Sequence, residues 1–227
     1  MKILITGGCG YKGSVLIPKL LDLNHKIINV DTMWFGNFLP KHKNLKNIKL
    51  DIRDIDKIKI NSVDAIIHLA SIANDPMSDL DESLSWEVGA LGTFKLLNFA
   101  KKIGVKKFIY ASSGSVYGIK KEKKVTEELS LKPISLYNKT KMICERVILS
   151  YKKHFDVIII RPATVCGFSP RMRFDLTVNA LTVSALNNKL INVNGGDQIR
   201  PNVNIQDLVD VYLFFLKNKK FKHNIYN

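Results

Sequence analysis

The feature that most constrains the fold is a glycine-rich stretch near the start of the chain, TGGCGYKG at 6–13. Gly7, Gly10 and Gly13 recur at every third position between a short apolar run, KILIT, and a helical pattern over 11–24. A glycine loop between a strand and a helix turns tightly and lets the backbone and the helix N-terminus approach a pyrophosphate. A bare turn that needs small residues is the alternative.

Apolar runs typical of buried strands alternate with longer amphipathic segments typical of helices. The strand-like runs cover 2–6, 25–31, 47–50, 64–70, 106–112 and 156–162. The helical segments cover 11–24, 83–103 and 136–154. Continuous apolar strands separated by helices predict an α/β fold, a Rossmann-type doubly wound parallel sheet with helices on both faces.

The character of the sequence changes after Pro162, where loop-like and polar stretches replace the regular alternation. We therefore predict a Rossmann domain over 1–162 and a partial, smaller segment over 163–227. Within that segment the pattern predicts helices over 176–190 and 207–218, and the final NIYN is typical of an edge strand.

Charge and cysteine content narrow the functional classes. The chain has 35 Lys and Arg against 20 Asp and Glu, a formal net charge of +15. Such an excess suits nucleic-acid binding, but the lysines are spread along the chain without a nucleic-acid motif, which favours solvated faces and a phosphate-bearing ligand. The cysteines (Cys9, Cys144 and Cys166) form no CxxC pair or ligand cluster, so we expect a reducing compartment and no metal site.

Two observations bear on location. No apolar stretch approaches the ~20 residues that cross a bilayer, and the first residues run directly into a strand and turn rather than into a leader pattern. We therefore expect a cytoplasmic protein without membrane contact.

Two acidic residues follow predicted strands next to the glycine loop. Asp31 ends the second strand, where a carboxylate can accept hydrogen bonds from the ribose hydroxyls of a dinucleotide and would repel a 2′-phosphate, so NAD is favoured over NADP. Asp51, followed by Ile52, ends the third strand and could flank the adenine. An ordinary strand-end turn is the alternative for Asp31.

A tyrosine and a lysine form the candidate catalytic pair. Tyr137 and Lys141 lie four residues apart on a predicted helix, so both side chains project from one face. A free tyrosine has a pKa near ~10, and a nearby ammonium together with a cationic nicotinamide ring should lower the pKa toward the useful range. Ser113 follows the strand over 106–112, at the sheet edge where ligands bind. A polar turn is the alternative for Ser112, Ser113 and Ser115.

Taken together, TGGCGYKG, Asp31, HLA (68–70), SSGSVYG, YNKTK and RPATVCG resemble the extended short-chain dehydrogenase/reductase family, in its NAD-dependent nucleotide-sugar epimerase and dehydratase branch. The resemblance covers nearly the whole chain. It implies a Rossmann domain with tightly held NAD over 1–162 and an NDP-sugar gripped by the segment over 163–227.

The resemblance also implies residue roles. Tyr137 would take the proton of a sugar hydroxyl, Lys141 would also bond the nicotinamide ribose, and Ser113 would orient the hydroxyl. The remaining cofactor positions would be Gly7, Gly10, Tyr11, Lys12, Gly13, Asp31, Asp51, Ile52, Leu69, Ala70, Ser112 and Pro162.

The residues after Ser113 bear on the reaction. Dehydratases of the family carry an Asp-Glu pair there, because elimination of water needs a carboxylic acid and a carboxylate. Gly114 and Ser115 can do neither, which favours an epimerase that passes hydride to NAD and returns it to the opposite face of a keto-sugar. A ketosugar reductase, a dehydratase or a non-catalytic NAD-binding protein are the alternatives.

Substrate contacts are expected from Ser113 and Ser115. The resemblance also implies contacts to the nucleotide diphosphate from Asn179 and, in the pattern GDQIR, from Arg200. Arg171 and Arg173 could add bidentate phosphate contacts, with surface charge as the alternative.

The chain departs from the family pattern in two ways. Gly89 stands where the family usually has Asn, and glycine weakens a helix interior by roughly 0.5–1 kcal/mol. The chain also ends before the family's last core strands, which puts activity in doubt. The family usually forms homodimers, for which helices 83–103 and 136–154 are candidates by analogy.

Overall fold

A computed structural model describes residues 1–218 and 221–227. The strands are β1 (Lys2–Thr6), β2 (Lys26–Asp31), β3 (Leu45–Lys49), β4 (Ala65–His68), β5 (Lys107–Ala111), β6 (Asp156–Ile160), β7 (Thr164–Cys166), β8 (Asn202–Asn204) and β9 (Ile225–Tyr226). The α-helices are α1 (Gly13–Asp22), α2 (Asp75–Leu80), α3 (Glu82–Trp86), α4 (Gly92–Lys102), α5 (Leu136–Ser150), α6 (Thr177–Asn188) and α7 (Ile205–Lys217).

Seven strands form one parallel sheet in the order β3-β2-β1-β4-β5-β6-β9. The chain moves outward in one direction from β1 and then returns to the other side of it at β4. Ligands bind at such a reversal point, outside the carboxyl ends of the strands. The predicted Rossmann-type sheet is confirmed, and the glycine loop, which follows β1, lies at the reversal.

The core lies on both faces of the sheet because alternate residues of each buried strand point to opposite sides. Ile3 and Ile5 pack on the face covered by α1 and α7, whereas Leu4 packs on the face covered by α4 and α5. All three side chains have no exposed surface. Burying such a side chain contributes about 1.5–3 kcal/mol, so this double burial explains why the strand sequences are continuously apolar.

The long helix predicted over 83–103 is interrupted. Helices α3 and α4 are joined by one turn of π-helix over Glu87–Leu91, with Gly89 at its centre. A Cβ on Gly89 would lie 2.2 Å from Thr140 Cγ2 of α5. The absence of a side chain therefore lets α5 pack directly against the π-turn.

The segment after residue 162 divides between two structures. Strands β7 and β8, which the sequence did not predict, form a small parallel pair. Helix α7 packs into the core beside α1, and β9 pairs with β6 at the edge of the large sheet. The predicted edge strand is thus confirmed. The domain boundary near residue 162 stays a prediction, and it would separate α7 and β9 from the large sheet against which they pack.

Within the described residues, no helix combines the length and the apolar character needed to cross a bilayer.

Candidate active site and cofactor cleft

The glycine loop is shaped by positions that have no room for a side chain. Gly7 has φ +75°, and a Cβ there would lie 2.5 Å from the backbone nitrogen of Ala70. A Cβ on Gly13 would lie 2.4 Å from the carbonyl oxygen of Gly8. Only glycine therefore lets β1 turn sharply into α1 while the loop lies against the residues that follow β4.

Three consecutive backbone N–H groups remain available at the start of α1. The N–H groups of Gly7, Gly8 and Cys9 donate to Val30 O, Asn29 Oδ1 and Asp31 Oδ2. Those of Tyr11, Lys12 and Gly13 have no acceptor within the described part of the chain. Unpaired N–H groups at a helix N-terminus form an anion site.

Asp31 lies beside this loop, as expected for a residue at the end of β2. Its Oδ2 accepts the Cys9 N–H at 2.9 Å and its Oδ1 accepts the Met33 N–H at 2.7 Å. These two bonds fix the carboxylate at the mouth of the cleft, and each oxygen keeps a lone pair for a hydroxyl donor.

Asp51 and Ile52 lie one strand further out. The Asp51 carboxylate accepts two hydrogen bonds from the Arg53 guanidinium, at 3.0 and 2.9 Å, and one from the Arg53 backbone. Ile52 is buried beneath Gly92. Arg53 therefore uses much of the hydrogen-bonding capacity of the Asp51 carboxylate, and its guanidinium holds the pKa of the Asp51 carboxyl below the usual value.

The candidate catalytic residues meet at the carboxyl ends of β4, β5 and β6. Lys141 Nζ donates to Ala111 O at 2.8 Å and lies 5.7 Å from the centre of the Tyr137 ring. Ser113 Oγ lies 2.7 Å from Ser115 Oγ, which donates in turn to Asn138 Oδ1. The structure thus brings the serine loop and the first turn of α5 together.

The ionisation of this group differs from the sequence expectation. Burial lowers the pKa of Lys141 to about 8. The pKa of Tyr137 is raised, because burial outweighs the opposing effects of Arg173 and of the Ser113 hydroxyl. Residues of this chain alone therefore do not supply the lowered tyrosine pKa that the sequence suggested. A cationic nicotinamide ring would have to provide it.

A buried ionic network, which sequence reasoning missed, supports the serine loop. Arg161, after β6, makes a two-pronged ion pair with Glu145 of α5, at 2.9 and 2.6 Å. The same carboxylate accepts the Ser112 hydroxyl at 2.5 Å, and Arg161 also donates to Tyr117 Oη at 2.6 Å. The Ser112 hydroxyl is therefore turned into the core, away from the cleft. Glu145 four residues after Lys141 was the available signal.

Pro162 closes the site below the serine loop. It follows β6, and its carbonyl oxygen accepts the Gly114 N–H at 2.9 Å. Leu69 and Ala70 follow β4, where the Leu69 N–H donates to Thr6 O at 2.9 Å. These residues therefore line the strand ends on which a nicotinamide riboside would lie.

The segment 167–175, here called the strap, crosses the mouth of the cleft. Tyr11 Oη donates to Gly167 O at 2.7 Å, and Ser169 Oγ donates to Tyr11 O at 2.8 Å. On one side, Asp175 accepts a hydrogen bond from Asn74 at 2.7 Å. The strap is therefore attached both to the start of α1 and to the loop after β4.

On the other side of the cleft, the Arg171 guanidinium stacks on Phe35 of the loop after β2, 4.0 Å from the ring centre. The strap is thus held to the start of α1, to the loop after β4 and to the loop after β2.

The predicted substrate residues fall into two groups. Asn179 is buried, and both its N–H donors are used, for Tyr11 Oη at 3.2 Å and Arg173 O at 2.9 Å. Its amide anchors the strap in this structure rather than facing a ligand. Arg200, by contrast, is exposed and lies in the stretch of chain that precedes β8. Ser115 lies with Ser113 in the catalytic group.

A dinucleotide fits this cleft. The side-chain-free positions at Gly7 and Gly13 and the free N–H groups of Tyr11, Lys12 and Gly13 suit a pyrophosphate. A model of the NAD dependent epimerase/dehydratase family matches residues 3–227. The chain belongs to this family. Its cofactor is accordingly NAD, and the sequence-based identification of the family is confirmed.

Several proteins of this family are similar to the chain. The uncharacterized UDP-glucose epimerase of Bacillus subtilis is 35% identical, over 92% of this chain and 70% of that protein. A crystal structure of the UDP-glucuronic acid 4-epimerase of Bacillus cereus, in complex with UDP-glucuronic acid and NAD, is 29% identical with a TM-score of 0.85, over 99% and 76% of the two chains.

A third similar protein is the UDP-N-acetylglucosamine 4-epimerase of Methanobrevibacter ruminantium M1, solved in complex with UDP-N-acetylmuramic acid. It is 26% identical with a TM-score of 0.84, over 99% of this chain and 74% of that one. The family member described here is an NAD-dependent enzyme.

Proposed function

We propose that the family member is a nucleotide-sugar epimerase that works by hydride transfer within one active site. The observation that carries the proposal is that Tyr137 and Lys141 accompany a serine loop in which Ser113 is followed by Gly114 and Ser115, so that the loop offers no carboxylate. A Cβ on Gly114 would lie 3.2 Å from Pro162 O, so a longer side chain at this position would be crowded. This arrangement favours epimerisation over loss of water.

The chain's own residues have distinct tasks in this proposal. Tyr137 takes the proton of the sugar hydroxyl and later returns it, Ser113 holds that oxygen, and the Lys141 ammonium stabilises the tyrosinate. NAD, when bound, supplies the hydride acceptor and donor. The attachment of the strap to Tyr11 and Asn74 favours retention of the same NAD through every turnover.

The substrate and the assembly state are parts of the same proposal. A UDP-sugar is the proposed substrate class, supported by the three similar epimerases. A homodimer is supported by apolar side chains exposed on adjacent helices, Leu91 at 44%, Phe94 at 47% and Ile143 at 37%, because exposed apolar patches mark interaction surfaces. Cytoplasmic location remains part of the proposal.

The test begins with the purified protein. Denaturation should release NAD, and incubation with UDP-, GDP-, CDP- and dTDP-sugars in deuterated water should yield an epimer without deuterium uptake. Deuterium uptake at C3 or C5 would indicate enolisation and contradict hydride return. No sugar change with any donor, in protein that holds NAD, would favour the non-catalytic alternative.

A ketosugar reductase is distinguished in the same samples. It would consume exogenous reduced dinucleotide in proportion to product, whereas the proposed epimerase needs none. A steady fall in absorbance at the wavelength of reduced nicotinamide would therefore replace the epimerase proposal with the reductase.

A further inference from the structure

Among the residues that the structure describes, the Lys12 ammonium has no acidic neighbour. Lys12 directly precedes α1, and its carbonyl oxygen accepts the N–H groups of Val15 and Leu16. The side chain is half-buried. The charged groups that act on it are Lys141 and Arg173, both cations, and within the described residues it forms no ion pair.

Three structural elements bring these cations together. Lys12 comes from the glycine loop, and Lys141 is fixed at the end of β5 by its bond to Ala111 O. Arg173 comes from the strap, and Asn179 Nδ2 ties the Arg173 carbonyl to the hydroxyl of Tyr11, the neighbour of Lys12. The start of α1, the end of β5 and the strap therefore contribute one cation each to the same part of the cleft.

Such an arrangement is unfavourable in the protein by itself. Burial and the two cations lower the pKa of Lys12 to about 7, because a half-buried ammonium is only partly solvated and lacks a counter-charge. Arg173 pairs with Asp175 through its Nε and one terminal nitrogen, which leaves its other N–H groups for a ligand.

We propose that the Lys12 ammonium and the free edge of Arg173 together bind a diphosphate group in this cleft. This inference rests on the proposed function and deepens it, because it assigns a side-chain contact in addition to the backbone N–H groups. Guanidinium and ammonium groups bind phosphate oxygens through strong, charge-assisted hydrogen bonds.

Two ligands of the proposed enzyme carry this chemistry. The dinucleotide diphosphate would lie at the start of α1, whereas the diphosphate of the nucleotide sugar would approach from the strap. The experiment therefore has two arms, the rate at which bound NAD is displaced by excess etheno-NAD and the calorimetric affinity for UDP.

The test compares Lys12→Met with Lys19→Met in the full chain. Lys19 lies on the same helix and pairs on the surface with Asp210 at 3.1 Å, so its loss controls for removal of one positive charge from α1. One charge-assisted bond corresponds to a change of about 10-fold or more. We expect Lys12→Met to accelerate NAD release or weaken UDP binding by this factor, and Lys12→Arg to restore most of it.

The outcomes separate the possibilities. Faster NAD release identifies the dinucleotide diphosphate as the ligand, and weaker UDP binding identifies that of the nucleotide sugar. If Lys12→Met matches Lys19→Met in both arms, the inference is wrong. Wild-type protein that holds no NAD and binds no UDP would instead overturn the proposed function.

Two further readouts distinguish a ligand contact from a folding defect. Lys12→Met should have a urea midpoint equal to or above that of the wild type, because it removes an unpaired cation. At pH 8 the wild type should take up protons when the diphosphate binds, because the bound anion should raise the pKa of Lys12 from about 7. Lys141 and Arg173 add a background to this proton uptake. The binding heat should then depend on the ionisation enthalpy of the buffer, and Lys12→Met should lose most of that dependence. A lower midpoint with unchanged buffer dependence would overturn the inference.

Discussion

In the cofactor half of the molecule, residues such as Asp31, Tyr137 and Lys141 are half-buried or buried, whereas residues 186–202, which carry the predicted substrate pattern, are all exposed. Asp31 and Lys141 each have their positions set by hydrogen bonds to a neighbouring element. Within the described residues, the Arg200 side chain makes no such bond, and only its carbonyl oxygen accepts one, from Asn202. This chain therefore builds the cofactor cleft from its core, while the far side of the substrate site has little packing to position it.

The largest expected effect comes from the catalytic tyrosine. Tyr137→Phe should lower kcat by about 10²–10⁴-fold, because it removes the only hydroxyl assigned to the proton transfer. NAD should stay bound, since the glycine loop and Asp31 are untouched. The measurement is epimer formation by chromatography together with NAD released on denaturation. A variant with full activity would show that the catalytic assignment is wrong.

The next effect is on stability. Glu145→Gln should lower the free energy of unfolding by about 3–5 kcal/mol, because it leaves the buried Arg161 guanidinium without its counter-charge. Urea denaturation measures the change. The double variant Glu145→Gln/Arg161→Met should recover part of the loss. If the single variant is as stable as the wild type, the network does not hold the serine loop.

A smaller effect is expected at the π-turn. Gly89→Ala should cost about 1–3 kcal/mol from overpacking, which equals or exceeds the ~1 kcal/mol that alanine gains in helix propensity. The added Cβ would lie 2.2 Å from Thr140 Cγ2. Thr140→Ser removes that methyl group, so Gly89→Ala/Thr140→Ser should be more stable than Gly89→Ala alone. Thermal unfolding of the four proteins of this cycle measures the coupling, and strict additivity would contradict the packing argument.

The smallest effect is expected in the exposed half. Arg200→Ala should leave the free energy of unfolding within about 0.5 kcal/mol of the wild type, because its side chain lies in solvent. If Arg200 contacts the nucleotide sugar, KM should rise while kcat stays nearly constant. Steady-state kinetics provide the measurement, with Lys189→Ala, at the exposed residue that follows α6, as the control. A kcat loss as large as that of Tyr137→Phe would break the distinction between the two halves.

Residue patterns predicted much of the cofactor half because local signals carry its geometry. The spacing of Gly7 and Gly13, the acid that ends β2 and the pair Tyr137–Lys141 each belong to one element or one turn. The predicted long helix was less accurate, because the π-turn at Gly89 depends on Thr140 of another helix. Short β7 and β8 were missed since three-residue polar strands carry no periodic signal.

Pairings between distant residues could not be predicted in the same way. Nothing in the sequence near Asn179 indicates that its amide ties the strap to Tyr11, 168 residues earlier. Ser112 was expected at a cofactor position, and the sequence did not show that its hydroxyl donates to Glu145 in the core. Both differences arise because a polar side chain takes the partner that the packed interior offers.

The order of the strands and helices that build most of the large sheet, the position of the glycine loop and the family could be read from the sequence alone. These properties follow from apolar periodicity and from turns that only glycine can make, and both are local. Only the tertiary structure decided the raised pKa of Tyr137, the Glu145–Arg161 support and the unpaired cation at Lys12. Those properties depend on burial and on charges from distant parts of the chain, which exist only once the sheet has been packed on both faces.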